Sequence, residues 1–157
     1  MAPTEPIPLR RPPIRQSTLV RSDGGHTFDA FVRTISEWWP TRPYSIGQDK
    51  VASVTFERVL GGRVYETWDD GHEVTWGHIT RWEPPTGFTM TWELLSAVTE
   101  VELQFRQLGP ALTRVELEHR GWEHLTEEDV AAISAVPGGY EKGWETILAA
   151  FAAHAEH

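Results

Sequence analysis

Histidine is the side chain best suited to moving protons near neutrality. Two of the seven histidines, His78 and His119, share strand parity with apolar neighbours. On an apolar face either would orient a ligand, or act as general base if a carboxylate such as Glu66 converged on it. No strand offers a nucleophile matched to them. A hydrogen-bonded histidine in the core or at a pocket rim is therefore the expectation, and no residue is assigned a catalytic role. Metal binding is not expected either. His72 and His78 share a strand face, but six residues of strand put them about 20 Å apart, too far for one ion. His119 and His124 do not complete such a site. Gly24-Gly25, Gly61-Gly62 and Gly138-Gly139 punctuate turns and do not cradle phosphate, because none opens a helix after a strand in the G-x-G-x-x-G pattern.

Tryptophan carries the stronger signal. Eight in 157 residues is more large aromatic surface than folding requires, and an indole suits a site with an apolar body and one polar edge. Trp68, Trp76, Trp92 and Trp144, with His78, Met90, Phe105, His119, Leu148 and Phe151, are the candidate cavity wall. Trp38 and Trp39, just before Pro40, join them. The plainer expectation for each is packing between sheet and helix. Arg33, Arg63 and Glu66 are candidate partners for a ligand headgroup, although charges of this kind usually face solvent.

Those residues need elements to hold them. Ile14 to Ser22 has strand character, and Asp23-Gly24-Gly25 ends it. From His26 to Trp39, apolar residues recur at offsets of three and four, which predicts an amphipathic helix stopped by Pro40. Thr41 to Gln48 is a loop or one short helical turn. Six strands follow, Val51–Arg58, Arg63–Trp68, His72–Glu83, Phe88–Leu95, Val98–Gln107 and Leu112–Arg120, each joined to the next by a short turn. Val101, Leu103 and Phe105 oppose Glu100, Glu102 and Gln104. Val115, Leu117 and His119 oppose Arg114, Glu116 and Glu118. One sheet face is thus charged and the other apolar, and the apolar one needs a cover. Ile79 breaks the parity of its strand, which predicts a bulge near Gly77. A helix opens at Thr126, Pro137-Gly138-Gly139 interrupts it, and a longer one runs from Tyr140 to His154. That last helix is the cover.

Charge and composition narrow the function classes. A net charge of −9 repels phosphate backbones and anionic headgroups, so neither nucleic acid nor membrane is an expected partner. With no cysteine there is no disulfide, thiolate nucleophile or thiolate metal site. No apolar run is long enough for a membrane span, and no signal-peptide core precedes the strands. The expectation is a soluble cytoplasmic α+β protein without cofactor. Residues 1–13 form a proline-rich leader and 14–157 one domain.

The order strand, helix, short helix, six-strand meander, long helix resembles the helix-grip superfamily of START-like and pollen-allergen-like domains (SRPBCC). Gly61-Gly62-Arg63-Val64-Tyr65-Glu66, Trp76-Gly77-His78-Ile79 through Trp82-Glu83-Pro84-Pro85, Met90-Thr91-Trp92 and Arg114 through His119 look like its bacterial branch named after the activator of the heat-shock-protein-90 ATPase, as does Gly143-Trp144 through Ile147-Leu148. The resemblance implies a curved antiparallel sheet of about seven strands gripping the C-terminal helix, with two short helices after the first strand. It also implies a cavity whose entrance lies near Trp38 and Trp39. Three functions fit it: binding of a small hydrophobic molecule, a cyclase- or hydrolase-like enzyme using the same cavity, and a protein-binding domain or homodimer.

Overall fold

The computed structural model describes residues 12–129 and 139–156. Its sheet follows directly from the alternation. Strands β1 (Ile14–Val20), β2 (Val51–Phe56), β3 (Arg63–Trp68), β4 (Glu73–Glu83), β5 (Gly87–Trp92), β6 (Thr99–Gly109) and β7 (Leu112–Arg120) form one sheet in the order β1-β7-β6-β5-β4-β3-β2. Every neighbouring pair is antiparallel. The meander needs only tight turns, and β1 joins it from the far end by pairing with β7. Val101, Leu103, Phe105, Val115 and Leu117 are buried, whereas Arg106 and Arg114 are exposed. Arg120 bridges Glu100, Glu102 and Glu118 on the charged side, and Arg81 reaches Glu102 from β4.

Helix α4 (Gly139–Ala155) covers the apolar side with Trp144, Ile147, Leu148 and Phe151 buried. The helix expected over residues 26–39 is two. Asp23 caps α1 (Gly24–Arg33) by accepting the His26 amide at 2.8 Å. At Thr34 the backbone leaves the helical region, and the Thr34 hydroxyl bonds back to the Ala30 carbonyl. Such back-bonding competes with the helical ladder. Helix α2 (Ile35–Trp38) follows, and Trp39 is extended ahead of Pro40, as the pre-proline clash demands. Helix α3 (Thr41–Tyr44) is one turn. The leader as far as residue 11 and the interruption at Pro137-Gly138 lie outside the described residues.

Strand β4 has two irregularities. Val64 pairs with Gly77 and Tyr65 with Thr75, so Trp76 is the extra residue. Ile79 pairs with Met90 and Arg81 with Thr89, so Thr80 is a second. A Cβ at Gly77 would collide with the Thr91 carbonyl, so the close approach of β5 at the bulge requires glycine. The bulge turns both Trp76 and Ile79 inward despite their opposite parity; they are 1 % and 2 % exposed.

Candidate functional site

The concave side of the sheet fills in two ways. At one end phenylalanines from α1, β2, β5, β6 and α4 close on one another. Phe28 lies 5.1 Å from Phe105, Phe31 lies 5.0 Å from Phe151, and Phe56 lies 5.0 Å from Phe88. Trp38 caps this cluster at 5.0 Å from Phe151.

At the other end tryptophans take over, and they bring N–H groups that must be paired when buried. Trp39 packs on Trp76 at 4.7 Å, and Trp92 on Trp144 at 5.2 Å. Trp39 donates to the Tyr44 carbonyl at 2.7 Å. Trp76 and Trp68 donate to the two oxygens of Glu66 at 2.7 and 2.8 Å. The Ile46 and Gly47 amides reach the same carboxylate at 3.0 and 2.8 Å. Glu66 is fully buried. Burial, the largest influence, favours its protonated form, yet the four donors together outweigh it and hold the carboxyl below its ordinary range. A Cβ at Gly47 would run into the Trp68 indole nitrogen, so only glycine lets this loop approach.

His119 is the second buried polar centre. Trp144 Nε1 donates to His119 Nδ1 at 3.0 Å. An indole can only donate, so Nδ1 is unprotonated, and Nε2–H donates to Thr99 Oγ1 at 2.7 Å. Burial lowers the His119 pKa from 6.5 to about 3, which keeps the imidazole neutral. Both nitrogens are occupied, so this ring is a structural pin with no free lone pair for a substrate.

Between these polar centres lies a cleft of about 200 Å³. Trp39, Tyr44, Trp92, Tyr140 and Trp144 supply its aromatic walls, and Ile46, Leu94 and Ile147 add aliphatic surface. Two larger depressions, about 350 and 430 Å³, carry charged groups including Glu102, Glu116, Glu118 and Arg120. Their charged groups pair with one another across the sheet face, which leaves the aromatic cleft, among the described residues, as the candidate site for an apolar molecule.

Of the twelve residues expected in a cavity wall, Trp39, Trp92 and Trp144 border this cleft. Trp38, Trp76, Met90, Phe105, His119, Leu148 and Phe151 are buried in the packing behind it. Trp68 lies near the β3 end, stacked on His72 at 4.6 Å with Lys50 over its ring. His78 is the clear correction. The bulge at Trp76 reverses the parity beyond it and puts His78 on the charged face, its side chain 45 % exposed. There its Nδ1 meets Glu93 at 2.6 Å, and the Thr91 hydroxyl donates to the same carboxylate oxygen. Burial raises the Glu93 pKa, but Thr91 and His78 outweigh it and leave the carboxyl below its ordinary range. Glu66 is also corrected, from a solvated charge to a buried anchor. Its signal was present, since it shares parity with Val64 on β3. Tyr44 and Tyr140 were missed as wall residues; Tyr140 stands on the same helical stripe as Trp144.

No described group of three or more histidine, aspartate or glutamate side chains is placed to hold a metal ion. No described helix is long and apolar enough to cross a membrane. No curated protein matches the chain in sequence. Among solved structures, the chain is similar to the anthrahydroquino-gamma-pyrone synthase Txn09, with 31 % identity over 94 % of this chain and 99 % of that one and a TM-score of 0.61. The self-sacrificing resistance protein CalC from Micromonospora echinospora is 28 % identical over 92 % of this chain and 94 % of its own, with a TM-score of 0.65. The Aha1 dimer from Colwellia psychrerythraea shares the fold at 13 % identity, covering 92 % of this chain and 96 % of its own with a TM-score of 0.63. The family model described as Activator of Hsp90 ATPase homolog 1-like protein matches residues 26–156. With its curved seven-stranded sheet, long C-terminal helix and short intervening helices, the chain belongs to that family and has the helix-grip fold.

Proposed function

We propose that this protein binds a flat, fused-ring aromatic molecule in the cleft between Trp39, Trp92 and Trp144. The observation that carries the reading is the wall itself: five aromatic rings around about 200 Å³, with the indole N–H groups of all three tryptophans already bonded to protein atoms. Such a wall presents mainly π-faces, and it matches a planar, largely apolar guest. The synthase with 31 % identity supports it, since its name gives a fused aromatic product. Sequestration in the cytoplasm is the activity proposed, with a small hydrophobic molecule as the partner.

Hydroxymethyl-anthraquinone should quench tryptophan fluorescence on titration with micromolar affinity, about −8 kcal/mol. Gly143→Leu is the blocking variant, because a Cβ at Gly143 would already lie 3.2 Å from the Tyr44 ring. Loss of quenching in that variant, with the circular dichroism spectrum retained, supports the cleft. Equal quenching in both proteins would sink the reading. The synthase also favours a second reading, cyclisation in the same cleft. Chromatography of a linear polyketone substrate incubated with the protein tests it, with a ring-closed product as the supporting result.

A further inference from the structure

We propose that the Tyr140 hydroxyl is the specificity-determining donor of the cleft, and that the guest is an aromatic molecule bearing a ring carbonyl or an equivalent oxygen acceptor. The inference rests on the proposed cleft-binding reading and adds the polar half of the ligand's chemistry.

A count of wall hydrogens leads to it. Trp39 N–H is held by the Tyr44 carbonyl, and Trp144 N–H by His119. Ser45 donates to the Thr41 carbonyl. Trp92 N–H points to the Tyr140 oxygen in a long bond of 3.4 Å. Among the described residues, Tyr140 therefore accepts one bond and donates none. A phenol can do both, so its hydrogen is available to a guest. Receiving a bond at its oxygen also polarises the O–H group and makes it a better donor.

The surroundings favour a donor over a base. Burial raises the Tyr140 pKa, outweighing the lowering effect of Trp92, so the phenol keeps its proton at neutral pH. His119, whose ring is 5.6 Å away, cannot take that proton because both its nitrogens are engaged. Tyr140 is also clamped by rings, with Trp122 at 5.3 Å and Trp92 at 6.4 Å. Among the described residues Tyr44 is the only other phenol in the wall, and no described hydrogen bond fixes its hydroxyl. A fixed donor discriminates between guests because it goes unpaired beside a guest without an acceptor.

Paired probes test this in the full-length protein: hydroxymethyl-anthraquinone and hydroxymethyl-anthracene, which differ by the ring carbonyls. Wild type should prefer the quinone about tenfold. In Tyr140→Phe that ratio should collapse to about one, while Tyr44→Phe should shift both probes alike and keep it. A ratio that survives in Tyr140→Phe, or that collapses only in Tyr44→Phe, overturns the assignment. Equal binding of both probes by wild type overturns it too, yet leaves the cleft reading standing. If wild type binds neither probe, the cleft reading itself falls and this inference falls with it.

Discussion

The two ends of the concave face solve the same packing problem with different residues. The phenylalanine end is built mainly from rings that carry no polar atom, with Trp38 and Trp82 at its border, so shape largely decides how they fit. The tryptophan end buries rings that each bring an N–H, so every indole there is tied to a particular acceptor: Glu66, His119, Tyr140 or the Tyr44 carbonyl. Directional bonds hold those rings apart as well as together, and the cleft lies where they do so. A wall that must keep its shape beside open space is better built from bonded indoles than from phenyl rings free to collapse.

Phe151→Ala removes a ring with no exposed surface and should cost about 3–5 kcal/mol in a urea titration. Quinone binding by the molecules that remain folded should be unchanged.

Acid should act at the tryptophan end. His119 has its pKa depressed from 6.5 to about 3 by burial, so the unfolded chain takes up the proton more readily than the folded one. Stability is therefore complete above pH 6.5 and is lost as pH falls toward 3. Between pH 7 and pH 5 the loss should reach about 2 kcal/mol. Urea titrations at those two pH values measure it, and a flat profile would contradict the buried neutral imidazole.

Glu66→Gln acts on the buried carboxylate at the tryptophan end. One of its two acceptor oxygens becomes an NH₂ facing N–H donors, which should cost about 1–3 kcal/mol and expose the loop at 45–47 to proteolysis sooner than the sheet. Glu100→Gln, which breaks a contact with Arg120 on the charged face, should change stability by less than about 1 kcal/mol.

How much of this was legible in the sequence differs between the two ends. Strict alternation in β6 and β7 made the apolar face readable, and the stripe Tyr140, Trp144, Ile147, Leu148, Phe151 identified its cover. The bulge near Gly77 was readable from Ile79, but its side-chain consequence was not: one extra residue at Trp76 sends His78 outward. Glu66 was misread because a carboxylate is ordinarily solvated, and nothing local announces that two amides from a loop about twenty residues earlier will converge on it. The division into a filled end and an open one also escaped the sequence. Phenylalanine and tryptophan look equally apolar in a pattern, and only the partners of the indole N–H groups separate them.

Glu66 also has a consequence for how the molecule opens. Its four donors come from the loop at 46–47 and from strands β3 and β4, yet they share a single carboxylate. Lifting the loop alone strips two of them and leaves a buried charge half solvated by protein, a costly intermediate. The loop therefore cannot fray as surface loops do. Its amides should open with the strands beneath them, and hydrogen exchange at Ile46 and Gly47 should follow the opening of the sheet.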